Sequence, residues 1–192
     1  TWDVSLITDM SNLFEYKSTF NSDINNWNVS NVVTMRAMFH GAIAFNKPLS
    51  NWNMASVTDI SYMFLTANSF NQDLNTWDVS NVTEMIGVFH SNTGFNGDIS
   101  TWDISSVVNI DALFNDATSF NGDLSNWDVS NLLRIHYMFA GASSFNGDIS
   151  NWDVSNITEF GNTFLNASNF NQDISGWDVS SATYLVDAFR GA

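Results

Sequence analysis

A repeat solenoid of the α/β class, about eight coils long with one short parallel strand and one short helix per coil, is the fold that this sequence predicts. Three observations lead to it. The first is a period: all eight tryptophans lie 25 residues apart, at Trp2, Trp27, Trp52, Trp77, Trp102, Trp127, Trp152 and Trp177. Phe14, Phe39, Phe64, Phe89, Phe114, Phe139, Phe164 and Phe189 keep the same step, as do the Phe-Asn pairs from Phe20-Asn21 to Phe170-Asn171. A fixed period of this size marks an array whose units cannot bury their apolar side alone. The second is a change of apolar spacing inside each unit, from two to three or four. The third is composition: 44% apolar and 15% aromatic residues describe a packed chain rather than a disordered one. Residues 1–192 are read as one repeat domain with no linker.

The strand is assigned to W-D-V-S, because Trp and Val alternate there with Asp and Ser as on a half-buried strand. The helix is assigned to the stretch after it, where Val32, Met35, Met38, Phe39 and Ala42 recur at three- or four-residue spacing. Ser30 and Ser80 stand where an N-cap belongs, and Gly41 and Gly141 where the helix would end. Stacking places like on like, so Trp27, Trp52, Trp77, Trp102, Trp127 and Trp152 and Phe39, Phe64, Phe89, Phe114, Phe139 and Phe164 form the core ladder. Each large ring leaves water only when a neighbouring coil is present. Asn46, Asn71, Asn96, Asn121 and Asn146 are read as an internal ladder that satisfies backbone groups at a turn.

Charge narrows the function classes. The net charge is −15, and the five permanent cations, Lys17, Arg36, Lys47, Arg134 and Arg190, are scattered over five repeats. No basic patch can neutralise phosphates, so nucleic acid is excluded as a partner. No run of ~20 apolar residues is present, so this segment is expected to insert into no membrane. Cysteine is absent, which removes disulfides and thiolate metal sites. The chain starts and stops inside repeats, and the expectation is a piece of a longer array.

No enzyme and no organic cofactor are expected. His40 and His90 share a column but sit two coils apart, about 9–10 Å, too far to hold one metal ion. His136 is alone in its column and is read as solvent-facing. The serines recur as caps with no base assigned to any of them. A threonine column, Thr8, Thr58, Thr83, Thr158 and Thr183, is interrupted by Val33, Val108 and Leu133, so it offers no regular face to an ordered solid.

Two acidic columns stand out. One holds Asp3, Asp78, Asp103, Asp128, Asp153 and Asp178, with Asn28 and Asn53; the other holds Asp23, Asp73, Asp98, Asp123, Asp148 and Asp173. Two explanations remain open at this point. The aspartates accept bonds from nearby backbone N–H groups in Asx-turns, or the columns bind cations. For the second, oxygen-only ligands favour Ca²⁺, and the candidates are Asp78, Asp98, Asp103, Asp123, Asp128, Asp148, Asp153, Asp173 and Asp178.

The run F-N-x-D-[IL] into W-D-V-S and then V-x-x-M-x-x-M-F-x-x-A-x-x-F resembles the 25 to 26 residue tandem repeat of bacterial surface lipoproteins grouped with BspA-like leucine-rich repeat proteins. The likeness extends over all 192 residues; Thr163, Ala182, Pro48 and Met54 depart from it. It implies a leucine-rich-repeat-like solenoid, an extracellular or cell-surface location, a role in adhesion, and no catalytic residues. The functional expectation is a non-enzymatic binding module that meets a protein or polysaccharide surface ligand through a repetitive polar-acidic sheet face. The alternative is a self-assembling filament or stiff spacer joined end to end.

Overall fold

The computed structural model describes residues 2–192. Positions are numbered within a 25-residue coil so that tryptophan is position 2: coil 1 is 1–25, coil 2 is 26–50, and coil 8 is 176–192. The inward residues are those at positions 2, 4, 7, 10, 13, 14, 17, 20 and 24. In coil 3 these are Trp52, Met54, Val57, Ile60, Met63, Phe64, Ala67, Phe70 and Leu74, all buried.

The α/β assignment is overturned. Among the described residues there is no helix, and strand is reduced to single-residue parallel bridges. These bridges run Asp9, Thr34, Asp59, Glu84, Asn109, Arg134, Glu159, Tyr184, one residue per coil at position 9. They fall in the segment expected to be helical, while W-D-V-S, expected to be the strand, forms none and leads from its Val and Ser into a β-turn, as in Val4–Ile7.

The helix fails for a reason visible in the backbone. Positions 12 and 16 have positive φ in every coil, from Asn12 (59°) and Tyr16 (56°) to Asp187 (52°) and Gly191 (74°). A left-handed residue at four-residue spacing cannot continue a right-handed helix. Turns take its place, with N–H of the fourth residue donating to C=O of the first: Leu13 to Met10, Glu15 to Asn12, Lys17 to Phe14. In the 10–13 and 14–17 turns the third residue is the one at positive φ, as a type II turn requires. The same i+3 bond closes Val4–Ile7, Lys17–Phe20 and Ile24–Trp27. Apolar residues therefore recur about every three residues because they stand at the two ends of successive β-turns.

The remaining N–H groups of this segment bond the next coil. Met10, Asn12, Phe14 and Tyr16 donate to the carbonyls of Thr34, Arg36, Met38 and His40 at 2.7–3.0 Å, so every second amide joins coils and the others close turns. This inter-coil ladder, positions 9 to 16, is the closest the fold comes to a sheet.

Side chains stitch the coils as well. Each indole Nε1 from Trp52 to Trp177 donates to the position-24 carbonyl 28 residues earlier, two coils back by number, as Trp127 does to Ile99 at 3.3 Å and Trp152 to Leu124 at 3.0 Å. Buried Trp N–H groups need such a partner. Equivalent rings lie 5.4–5.7 Å apart down the interior Phe39-to-Phe164 column and 6.3 Å apart from Trp52 to Trp127. Hydrogen-bonded parallel segments keep ~4.8 Å. The ring centroids of both columns thus stand further apart than that step, and the tryptophans further than the phenylalanines.

Candidate functional site

Two polar surfaces compete for a functional role. The first is the Asp-x-Ser edge that carries the acidic columns. Each aspartate there except Asp73 is engaged by its own turn. Asp103 Oδ1 accepts from the Ser105 backbone N–H at 3.0 Å and from its hydroxyl at 2.6 Å, and Asp78, Asp128 and Asp153 repeat the pair. Asp178 accepts from the Ser180 N–H at 2.9 Å. In the second column Asp98, Asp123, Asp148 and Asp173 bond Ser100, Ser125, Ser150 and Ser175, and Asp73 Oδ1 accepts from the Asp98 N–H. The Ser105 hydroxyl, and then its N–H, hold the Asp103 carboxyl below its ordinary value. Among the described residues no group of three or more carboxylates or imidazoles is arranged to hold a metal ion, so the calcium candidates are not brought together in any such group.

The serines read as helix caps are the donors of these Asx-turns. The Asn column is exposed rather than internal. Each Oδ1 accepts the backbone N–H of the asparagine one coil on: Asn46 from Asn71 at 3.0 Å, Asn71 from Asn96 at 2.7 Å, Asn96 from Asn121 at 2.8 Å, and Asn121 from Asn146 at 2.8 Å. Trp52, Trp77, Trp102, Trp127 and Trp152 and the six phenylalanines from Phe39 to Phe164 lie in the buried core, with Trp27 partly buried against it.

The second surface is the outward side of the ladder, positions 9, 11, 12, 15 and 16. There the coils stop resembling one another, and all four tyrosines, all three histidines and all three arginines of the chain fall on these five positions. Diagonal contacts join position 11 of one coil to position 9 of the next: Ser11 Oγ to Thr34 Oγ1 at 3.3 Å, Arg36 to Asp59 at 3.6 Å, Asp111 to Arg134 at 2.9 Å, and His136 Nε2 to Glu159 at 3.1 Å. His40 Nδ1 meets Glu15 at 3.0 Å. His136 is thus half-buried beside Glu159, not solvent-facing. Burial holds the His90 imidazole below its ordinary value, against the pull of Asp116. Burial likewise raises the Asp111 carboxyl despite Arg134 beside it.

Three of the tyrosines lie over glycines. A Cβ on Gly41, Gly87 or Gly161 would run into the ring of Tyr16, Tyr62 or Tyr184 respectively. The Arg36 guanidinium lies 4.9 Å from the centre of the Tyr62 ring. Tyr137 has no glycine beneath it and projects outward.

A family model described as a Mycoplasma protein of unknown function, DUF285, matches residues 1–100 and 83–192. The chain belongs to the DUF285 family. Each match spans about four coils, and the two together run the length of the repeat array. No curated protein matches the chain. For a DUF285 array the family description leaves the site to be argued from geometry. Sequence reasoning passed over the ladder face because positions 9, 11, 12, 15 and 16 point all round an imagined helix. The usable signal was compositional: within a chain that repeats itself, Tyr, His and Arg were confined to the positions that do not.

Proposed function

We propose that this chain is a non-enzymatic binding module, displayed on the cell surface or secreted, whose contact face is the ladder side of the stack. The surface assignment rests on its resemblance to bacterial surface repeat proteins. One observation carries the choice of face: the residue types that interfaces favour, Tyr and Arg, with His, occupy the outward ladder positions and no others. The Asp-x-Ser edge, by contrast, uses its carboxylates within its own turns. A repeat backbone with divergent side chains along one face supports an extended contact with a protein, each coil adding a different element.

The test uses the labelled chain on immobilised extracellular proteins, on polysaccharides and on intact cells. Replacing Arg36, Tyr62 and Tyr137 with Ser is expected to abolish binding, while Asp103, Asp128 and Asp153 to Asn leaves it in place. The reverse result, or binding to none of these surfaces, overturns the proposal. A second reading, end-to-end assembly, is supported by complementary ends. The N–H groups of Leu185, Asp187, Phe189 and Gly191 and the carbonyls of Asp9, Ser11, Leu13 and Glu15 make no ladder bond among the described residues, and a neighbouring coil of either origin would pair them. A mass that grows with concentration in the same samples would favour it.

A further inference from the structure

The ladder face is not uniform along the stack. At position 8 the backbone N–H bonds the same position of the preceding coil at Val33, Thr58, Thr83, Thr158 and Thr183. At Val108 and Leu133 that bond is not made, and although the Glu84–Asn109–Arg134 bridges continue, Met85 and Ile110 do not reach the Asn109 and Arg134 carbonyls with the hydrogen-bond geometry of their counterparts elsewhere. Beside this stretch the ladder face carries a shallow groove of about 410 Å³ whose walls include Glu84, Val108, Leu133, Arg134 and Glu159. Its apolar lining comes from Val108 and Leu133, 49% and 57% exposed, in a column that is otherwise mostly threonine. The charge at its centre is already matched, since Arg134 Nε lies 2.9 Å from Asp111 Oδ2. The charges at its two ends are carboxylates: Glu84, which has no ion pair among the described residues, and Glu159, which meets neither Lys nor Arg among the described residues and lies 3.1 Å from the His136 imidazole.

We infer that this groove docks an extended polypeptide segment of the pattern basic, any, apolar, any, basic. The inference rests on the ladder face being the contact face and names what part of it recognises. Geometry sets the spacing. Glu84 and Glu159 are three coils apart, about 14 Å at the ~4.8 Å step of parallel ladders. Four residues of extended chain cover the same ~13–14 Å, and residues i, i+2 and i+4 of such a chain point to one side. Basic side chains at i and i+4 therefore reach the two glutamates, and the apolar side chain at i+2 rests between Val108 and Leu133. A helix would bring i and i+4 only ~6 Å apart along its axis and miss one end. The net charge of −15 draws such a segment in and disfavours an acidic one.

A fluorescent peptide containing Lys-Thr-Leu-Thr-Lys, titrated with the intact chain at ~150 mM salt to screen long-range attraction, reads the interaction by anisotropy. Leu133→Ser, which leaves the charge unchanged, and the pair Glu84→Gln with Glu159→Gln are each expected to weaken binding about tenfold. The pair Asp103→Asn with Asp128→Asn removes the same charge elsewhere and is expected to leave affinity within about twofold. The permuted peptide Lys-Lys-Leu-Thr-Thr is expected to bind about tenfold less tightly. Equal affinity for both peptides, or equal losses in groove and edge variants, would mean undirected attraction between opposite charges and overturn the inference. If the peptide fails to bind while the Arg36, Tyr62 and Tyr137 variant still loses its surface binding, the groove falls and the contact face stands. If neither effect is seen, both fall.

Discussion

Along the Asp-x-Ser edge, one coil after another makes the same turn with the same atoms; across the ladder face no two of the eight coils carry the same five outward residues. Both surfaces are polar and both are built by the same 25-residue unit. The difference lies in what holds the backbone. At the edge the turn depends on a side chain, Asp or Asn at position 3, to accept the N–H two residues on, so the residue type must recur. On the ladder the N–H groups are taken by the next coil's carbonyls, whatever side chain the residue bears. Backbone-to-backbone bonding releases the side chains for another purpose, and repetition is confined to positions where the fold itself needs it.

The largest expected effect tests the repeated columns. Trp127 is 3% exposed, stacks on Trp102 at 6.3 Å and donates to the Ile99 carbonyl, which also accepts the Trp102 N–H, so Trp127→Ala removes a buried ring and one bond between coils and leaves a cavity. The lost burial and the cavity are expected to cost ~3–5 kcal/mol. Trp2 is 73% exposed, and Trp2→Ala is expected to cost less than ~1 kcal/mol. Urea titration of the two variants measures both. Equal losses would contradict a stack in which neighbours on two sides bury the ring, and a loss above ~2 kcal/mol at the outward Tyr137→Ala would erase the distinction between repeated and divergent columns.

The period, the core ladders' spacing and the acidic columns were all legible in the letters. The secondary structure was not. Apolar residues three or four apart serve a helix and a chain of β-turns equally, and only the sign of φ at positions 12 and 16 separates them. Seven of those sixteen left-handed residues are Tyr, Ala, Thr or Ser, so Gly, Asn and Asp mark the turns in only part of the two columns. What holds them is long-range: Asn12 and Tyr16 donate to Arg36 and His40 one coil away. The alternation in W-D-V-S correctly marked which residues face inward, yet a turn closed by Asp3 and Ser5 gives the same alternation as a strand. The site was hidden by the same error, since the ladder face exists only once the helix is gone.

A smaller effect comes from an exception inside a repeated column. Position 17 is alanine in coils 2, 3, 5, 6 and 7, but coil 4 places Asn92 there, fully buried. Its Oδ1 has no partner, and its Nδ2 reaches the Phe70 carbonyl only at 3.5 Å. A buried unpaired amide oxygen costs ~1–3 kcal/mol, part of which the lost packing volume would return, so Asn92→Ala is expected to stabilise the chain by about 1 kcal/mol. A higher urea midpoint with an unchanged slope is the expected reading. A loss of 1 kcal/mol or more would show that divergence has a structural use even in the core. Thr163 is the contrasting case: its hydroxyl reaches the Phe160 carbonyl at 2.6 Å and the Ile135 carbonyl at 3.1 Å, so Thr163→Ala is not expected to help.

The smallest effect distinguishes the two surfaces by the sign of their response to acid. Asp103, Asp128 and Asp153 at the edge are held below the ordinary value near 3.8 by the hydroxyls and N–H groups of Ser105, Ser130 and Ser155. A carboxyl whose folded value lies below its unfolded one stabilises the fold fully above the unfolded value and loses that contribution as pH falls through the folded one. Asp111 on the ladder is displaced the other way, because burial outweighs Arg134. It takes up its proton more readily when folded, so its contribution improves as pH falls from above its folded value towards the unfolded one. Replacing Asp103, Asp128 and Asp153 together with Asn should keep the turns, since Asn28 and Asn53 already accept the N–H groups of Ser30 and Ala55 at 3.2 and 3.1 Å. The triple variant is therefore expected to lose less stability than the parent between about pH 5 and pH 3, read from urea midpoints. Asp111→Asn is expected to do the opposite and steepen the loss, because it removes a group that was offsetting it. A triple variant as acid-sensitive as the parent would mean that the edge carboxylates are not stabilised as ions by their serines, and a flatter curve for Asp111→Asn would place Asp111 with them rather than apart.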